Sequence, residues 1–417
     1  MESFNIIEKL HSISEAQSII MKSNIRYSIK MEEVKVEESI GKVAAEDVRS
    51  PMDIPPVDRS VLDGYAARWI DLSVASEESP VRLGIAGSIP IDSGDAPELK
   101  PGEAYEVATG SPIPRGADVV VPVEYTRRLG DVIEVYRPFP GGYGVSVRGE
   151  DLREGEVILN KGDIISEWHI GVLASVGISR VTVWRPIRAA LYATGLELIE
   201  PGEPWRPGKV YSSTTRAVYS YFISRNVKPE YLGILPDDVD VIESALRDAL
   251  SKYDIVVTTG GTSVGRKDAT IRALHGLADD IVHGLALTPG RPGAFAIVDG
   301  KLVIALSGMP VAAISELIAI WDPVYRRLLG REKPWEPVVE ARMRSRFTSH
   351  PGMVNVVRSQ TCYSGGFIYT TPLRVTGSGI LSTLIRANSL FIVPEELTGI
   401  EEGDLVEVRL TGYPGRC

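Results

Sequence analysis

Fully apolar runs and amphipathic stripes alternate through the middle of the chain. Ile255 to Thr259 is apolar or β-branched on both faces, the pattern of a strand covered on both sides in a parallel sheet. Ala189 to Thr194 reads the same way and ends at Gly195. Helical stripes lie between such runs. Val241, Ile242, Ala245, Leu246, Ala249 and Leu250 recur at helical spacing, and Asp237 and Asp238 suit that helix's N-terminus electrostatically. Ser213 caps a further helix that carries Val218, Tyr221 and Phe222 inward, and helices are expected near 268–274 and over 311–328. More strands are expected at 231–235, 281–287, 295–298 and 302–306, the last two joined by an Asp299-Gly300 turn. Strands alternating with helices over 186–330 predict a three-layer α/β domain with a mostly parallel sheet.

The flanks follow another rhythm. Short alternating runs such as Val81 to Ile85 and Asp131 to Val135, broken by Pro and Gly, predict a small β domain, and 335–417 returns to the same pattern. Near the start, Ser14-Glu15-Ala16-Gln17 reads as a capping box opening a helix with Ala16, Ile19 and Ile20 on its apolar face. Residues 34–48 read as extended or turn-rich, and 166–175 as a short helix before Gly177. Prolines 51, 55 and 56 exclude regular helix, so 58–65 is expected as an exposed, rigidly held loop.

Composition narrows the classes. A chain of 417 residues exceeds one hydrophobic core, so two to four domains are expected. No apolar run is long enough to cross a bilayer, and Met1 to Asn5 lacks a basic region with an apolar block behind it, so a cytoplasmic protein is expected. A net charge of −10 argues against general nucleic-acid binding while permitting a local basic pocket. Cys362 and Cys417 are too few for a disulfide framework or a Cys-rich zinc site. The 5 His residues show no paired ligand spacing, so a metal would be Mg²⁺ held by carboxylates.

The candidate chemistry centres on Thr259 to Asp268. Gly260 and Gly261 end the strand, Thr262 and Ser263 bring hydroxyls, and Gly265 permits a second turn. Such a loop presents backbone N–H groups to an anion, although a plain strand-to-helix turn needs the same glycines. In parallel sheets ligands bind beyond the carboxyl ends of the strands. Loops 194–197, 259–268 and 306–310, the last with Ser307 and Gly308, all belong at that edge, and Arg291 in Thr288-Pro289-Gly290-Arg291-Pro292 adds a guanidinium for an oxyanion. Taken singly, Asp63-Gly64 reads as a surface turn, 108–118 as a second tight, hydroxyl-bearing loop, and the Arg148-Gly149-Glu150-Asp151 group as a solvated charge cluster.

Ordered along the chain, these motifs resemble the MoeA/gephyrin-type molybdopterin molybdenumtransferases over nearly its whole length. They are D-R-S-V-L-D-G-Y-A-A-R at 58–68, A-T-G-S-P-I-P-R-G-A-D at 108–118, R-G-E-D at 148–151 and A-T-G-L-E-L at 193–198. T-G-G-T-S-V-G-R-K-D at 259–268, T-P-G-R-P at 288–292, L-S-G-M-P at 306–310 and G-S-G-I-L-S at 377–382 follow. The resemblance implies an α/β plus β architecture: an elongated multidomain chain with a central three-layer, MogA-like, molybdopterin-binding domain at 186–330. A discontinuous linker domain at 1–45 and 140–185, an inserted β domain at 46–139 and a C-terminal β domain at 331–417 flank it. It implies insertion of molybdate or tungstate into adenylated molybdopterin, Mg²⁺-dependent hydrolysis and release of AMP. A homodimer is implied too, with the β domain of one subunit facing the α/β domain of the other, and an upstream molybdopterin adenylyltransferase as a candidate partner.

Carried over by position, Asp63, Thr109, Asp151, Glu197 and Asp268 fall where the family has its functional carboxylates and loop threonine. Asp63, Asp151 and Asp268 are the candidate metal ligands, Gly260, Gly261, Thr262, Ser263 and Gly265 bind the nucleotide phosphate, and Arg358 and Ser378 match the C-terminal domain's contribution to the oxyanion site. The chain departs from the family pattern in three loops. Leu196 replaces a carboxylate beside Glu197, Thr288 and Arg291 stand where two lysines are usual, and Ser307 and Met309 alter the L-P-G-N-P loop. Two other readings share the motifs: a CinA-like nucleotide pyrophosphatase, and a non-catalytic pterin-nucleotide carrier or scaffold.

Overall fold

The buried runs of the middle region meet in one six-stranded sheet. In the computed structural model, which describes residues 10–94, 96–262, 268–373 and 380–417, Val227–Leu235, Ile187–Thr194, Ile255–Thr259 and Lys301–Leu306 lie side by side and parallel. Ala294–Val298 and Asp280–His283 extend the sheet antiparallel. The hairpin responsible turns at Asp299 and Gly300, whose φ angles of 51° and 74° suit a tight two-residue connection.

All of Ile255–Thr259 is buried because the sheet is covered twice. Ile255 and Val257 pack with Ile19, Val218, Phe222, Leu317 and Trp321, so that Ile13–Lys22, Ser213–Ile223 and the helical stretch 310–328 cover one face. Val256, pointing the other way, packs with Ile242, Leu246 and Leu274 of Val239–Lys252 and Ala269–Leu277. Asp238 caps Val239–Lys252 by accepting from the Val241 N–H at 3.1 Å. Val241 itself, expected on the apolar stripe, stands at its edge and is 42% exposed.

Several local expectations shift. The first helix is capped by Ser12, not Ser14: the Ser12 hydroxyl accepts from Glu15 N–H, and Glu15 Oε2 accepts from Ser12 N–H at 2.7 Å. Gln17, which would have closed the alternative box, donates instead to the Ala319 carbonyl at 2.9 Å. Ser213 is the first helical residue rather than the cap, which is Ser212. The strand expected over 281–287 ends at His283, and Leu287–Thr288 leaves to pair with Val354 and Asn355 of the C-terminal sheet. The stretch 310–328 is helical throughout, but its middle turn, Leu317–Trp321, widens to a π-helix.

On the N-terminal side, Met31–Lys35 pairs with Arg180–Trp184 and Val48–Arg49 with Val157–Leu159 around a small core of Val36, Ala44, Leu159, Leu173 and Val181. Between these segments a separate six-stranded sheet forms from Gly64–Ala67, Val81–Ile89, Glu103–Val107, Val119–Pro122, Thr126–Leu129 and Val132–Val135. The expected loop 58–65 is thus exposed only in part, since Arg59–Ser60 pairs with Val145–Ser146 and Gly64 and Tyr65 start a buried strand. The C-terminal sheet is built on Val354–Ser364. Its two cysteines, too few for a framework, form one disulfide across 55 residues that holds Gly415–Arg416 beside Cys362 and Tyr363. No helix of the described residues is long and apolar enough to cross a membrane.

Candidate functional site

Thr194, Thr259 and Leu306 end three neighbouring parallel strands, and the loops that follow them open onto one cleft of about 1160 Å³. That volume suits a ligand larger than a mononucleotide. The 288–292 turn and the start of Ser213–Ile223 complete its walls. Gly260 and Gly261 adopt φ of 96° and 62°, and a Cβ would lie 2.5 Å from the Thr194 carbonyl oxygen and 2.4 Å from Thr270 Oγ1, respectively. Only glycine fits both positions. Hydroxyls tie the turn together: Thr215 and Thr259 Oγ1 atoms lie 2.5 Å apart, and Thr214 Oγ1 donates to the Gly308 carbonyl at 2.6 Å.

Glu197 folds back over Gly195, its Oε1 2.7 Å from where a Cβ would stand, and its carboxylate borders the cleft. Leu196 is 66% exposed, so the departure at this position faces solvent. Its N–H binds Asp237 Oδ2 at 3.1 Å, and Asp237 also lines the cleft. Asp268, the N-cap of Ala269–Leu277, closes the glycine-rich end. Thr262, Arg291, Ser307 and Gly308 all line the same space. Ser263, Gly265 and Ser378 lie outside the described residues.

Sequence reasoning missed Glu316. It is fully buried, accepts from the Ser307 N–H at 3.0 Å and pairs with the Ser307 hydroxyl, and burial pushes its carboxyl up to about 8 against those two bonds. The signal was the one charged residue in the 310–321 segment.

Arg358 does not line the cleft. It faces an adjoining cavity of about 440 Å³ between the C-terminal sheet and the 311–318 helix, bordered also by Tyr221, Trp335 and Leu384. Only 6% of Arg358 is exposed, burial lowers its pKa, and none of its three guanidinium nitrogens has a hydrogen-bond partner among the described residues. The two cavities flank one short helix: Leu381, its N-cap, borders the first and Leu384 the second.

Asp63 and Thr109 meet each other away from the cleft. Gly64 pairs with Val107, which sets the two loops side by side, and Thr109 donates to Asp63 Oδ1 from its N–H at 2.7 Å and its hydroxyl at 3.0 Å. The N–H first and then the hydroxyl hold this exposed carboxyl below its ordinary value, so it is ionised at neutral pH. In the 148–151 group, Arg148 Nε binds Asp53 at 2.5 Å, and Glu150 accepts from the Ser146 hydroxyl and the Val147 N–H. These contacts build the turn and leave the Asp151 carboxylate exposed. No group of three or more His, Cys, Asp or Glu side chains able to hold a metal gathers among the described residues. Within one chain, therefore, Glu197, Asp268, Arg291 and Ser307 converge, Arg358 adjoins them, and Asp63, Thr109 and Asp151 do not line the cleft.

Residues 11–177 match the family model of the MoeA N-terminal region (domains I and II), residues 190–327 that of a probable molybdopterin binding domain, and residues 340–411 that of the MoeA C-terminal region (domain IV). A putative molybdopterin biosynthesis protein of Methanocaldococcus jannaschii is 32% identical over 97% of this chain and 99% of its own length. The molybdopterin molybdenumtransferase of Bacillus subtilis is 31% identical over 97% and 95%. The solved structure of the molybdopterin biosynthesis MoeA protein of Pyrococcus horikoshii OT3 superposes with a TM-score of 0.80 at 30% identity, covering 96% of this chain and 100% of that one.

Proposed function

The chain belongs to the MoeA family, and from that premise we propose that it is a molybdopterin molybdenumtransferase acting on adenylated molybdopterin, with insertion of molybdate or tungstate, hydrolysis of the adenylate and release of AMP. The observation that carries this reading is the paired arrangement of cavities. The glycine-rich cleft is sized for a pterin nucleotide, and Arg291 on its wall offers a guanidinium to phosphate. The second cavity beside it holds a buried cation with no hydrogen-bond partner among the described residues, the chemistry an oxyanion would satisfy.

Each side chain takes a role from its surroundings. The space around the Gly260-Gly261 turn takes the nucleotide phosphates, Asp268 and Glu197 border it as carboxylates for a bound cation, and Arg291 balances charge on the leaving phosphate. Arg358, with Ser378, receives the oxyanion. The donor set suits Mg²⁺, since Asp63 stays ionised and both Thr109 bonds fall on Oδ1, leaving Oδ2 uncommitted by them. Asp63, Asp151 and Asp268 would hold the ion, which when bound would neutralise phosphoanhydride charge.

Asp63, Thr109 and Asp151 complete the cleft when a second copy supplies them, so the functional unit is a homodimer with composite sites. Mixing subunits tests this. Asp63→Asn and Asp268→Asn are each inactive alone, but random mixed dimers recover about a quarter of wild-type AMP release, because one of two sites in each heterodimer is intact. A mixture as inactive as its components would refute the shared site.

A further inference from the structure

Glu316 is an acid with no counter-charge among the described residues, placed under two of the three loops that depart from the family pattern. The 285–293 segment covers it with Leu285, Leu287, Gly290 and Gly293, and a Cβ on Gly293 would come within 2.7 Å of Glu316 Cδ. The one charged side chain of that turn, Arg291, is exposed. From Lys301–Leu306 and the following loop, Ser307 faces it, while Lys301 binds the Leu250 and Tyr253 carbonyls at the far end of the strand. The helix Pro310–Glu316 has no second ionisable residue. Ser307 thus stands between a buried carboxyl and the cleft that it lines.

We propose that Glu316 is a positioning residue that makes the Ser307 hydroxyl a hydrogen-bond donor to the oxyanion bound in the cleft. This rests on reading the cleft as an anion site. When the carboxyl is protonated, its O–H donates to Ser307 Oγ and its other oxygen accepts from the Ser307 N–H. The Ser307 proton is then free to point at a ligand. When the carboxyl is ionised, it accepts from both Ser307 donors. The cleft then loses a donor, and a negative charge lies one hydroxyl away from the bound anion. Burial keeps the protonated form in place at neutral pH.

The test measures equilibrium binding of molybdate alone and of AMP alone to the full chain, at about pH 6.5 and about pH 9.5, either side of the ionisation. Wild-type affinity for the oxyanion that Ser307 touches falls roughly tenfold at the higher pH, the worth of one charge-assisted hydrogen bond. Glu316→Gln, whose amide donates to Ser307 Oγ and accepts from its N–H, retains the low-pH affinity and loses the pH dependence. Ser307→Ala binds weakly at both pH values, with the near-ultraviolet circular dichroism of the wild type. The two probes separate an oxometalate from a nucleotide phosphate as the ligand concerned. A wild-type pH dependence that survives in Glu316→Gln, or pH-independent binding by the wild type, overturns the proposal. Binding of neither probe to the wild type at either pH overturns the anion-site reading itself, and the proposal with it.

Discussion

Replacing Glu316 by Gln should also change how the protein's stability depends on pH. Burial raises the Glu316 carboxyl from an ordinary value of 4.5 to about 8. Between those values the folded protein holds a proton that the unfolded chain releases, so the stability of the neutral acid is fully present below about pH 4.5. It drains away as pH rises to about 8, by roughly 5 kcal/mol over the window. Gln cannot ionise, and it preserves the size and both hydrogen bonds of the neutral acid. The variant and wild type should therefore be about equally stable near pH 5, and the variant should be the more stable by several kcal/mol near pH 8.5. Urea unfolding followed by tryptophan fluorescence reads this, since Trp321 is fully buried in the helical stretch that carries Glu316. Other buried acids, Asp322 among them, titrate in both proteins and cancel in the difference. Parallel stability curves for the two proteins across this window would refute the reasoning.

Three further outcomes follow from the site. Asp268→Asn abolishes AMP release while leaving far-ultraviolet circular dichroism and thermal unfolding unchanged, because Asn matches Asp in size and keeps the backbone N-cap position of Ala269–Leu277. Turnover at the wild-type rate would remove Asp268 from the site. Arg358→Met raises stability by about 1–3 kcal/mol in denaturant unfolding, since it removes a buried cation with no hydrogen-bond partner among the described residues, and it eliminates cofactor metallation. Cys417→Ser, or reduction of the wild type, frees the Gly415–Arg416 strand and lowers the unfolding free energy of the C-terminal sheet by about 2–4 kcal/mol.

The α/β body was legible where local pattern and tertiary environment agree. Ile255 to Thr259 could be read as a doubly covered strand because its residues on both faces are apolar, and helices cover both faces. The Val239–Lys252 helix showed itself through its stripe and its Asp238 cap. What escaped notice depends on partners distant in sequence. Leu287–Thr288 looks like the end of a local strand, and only the C-terminal sheet explains its pairing. The first helix begins at Ser12 rather than Ser14 because Glu15 closes the box, while Gln17 is claimed by a residue 302 positions away.

The candidate site was legible as a set of motifs but not as a geometry. Gly260, Gly261, Glu197 and Asp268 point to one cleft because strand order brings their loops together. Nothing in their spacing indicates that Asp63 and Thr109 pair with each other at a distance from that cleft; that follows from the register of Gly64 with Val107. Glu316 reads along the sequence as the polar position of a helix. It becomes a buried acid only when the 285–293 segment closes over it.

Metallation of an adenylated pterin in the cleft can be followed in one incubation. The purified chain is combined with adenylated molybdopterin, Mg²⁺ and molybdate or tungstate, and AMP and metallated cofactor are quantified separately. The two products should appear together, in equal amounts, and both should depend on the oxyanion. AMP released without metallation, or no turnover of the adenylated pterin with either oxyanion, would contradict metallation in the cleft.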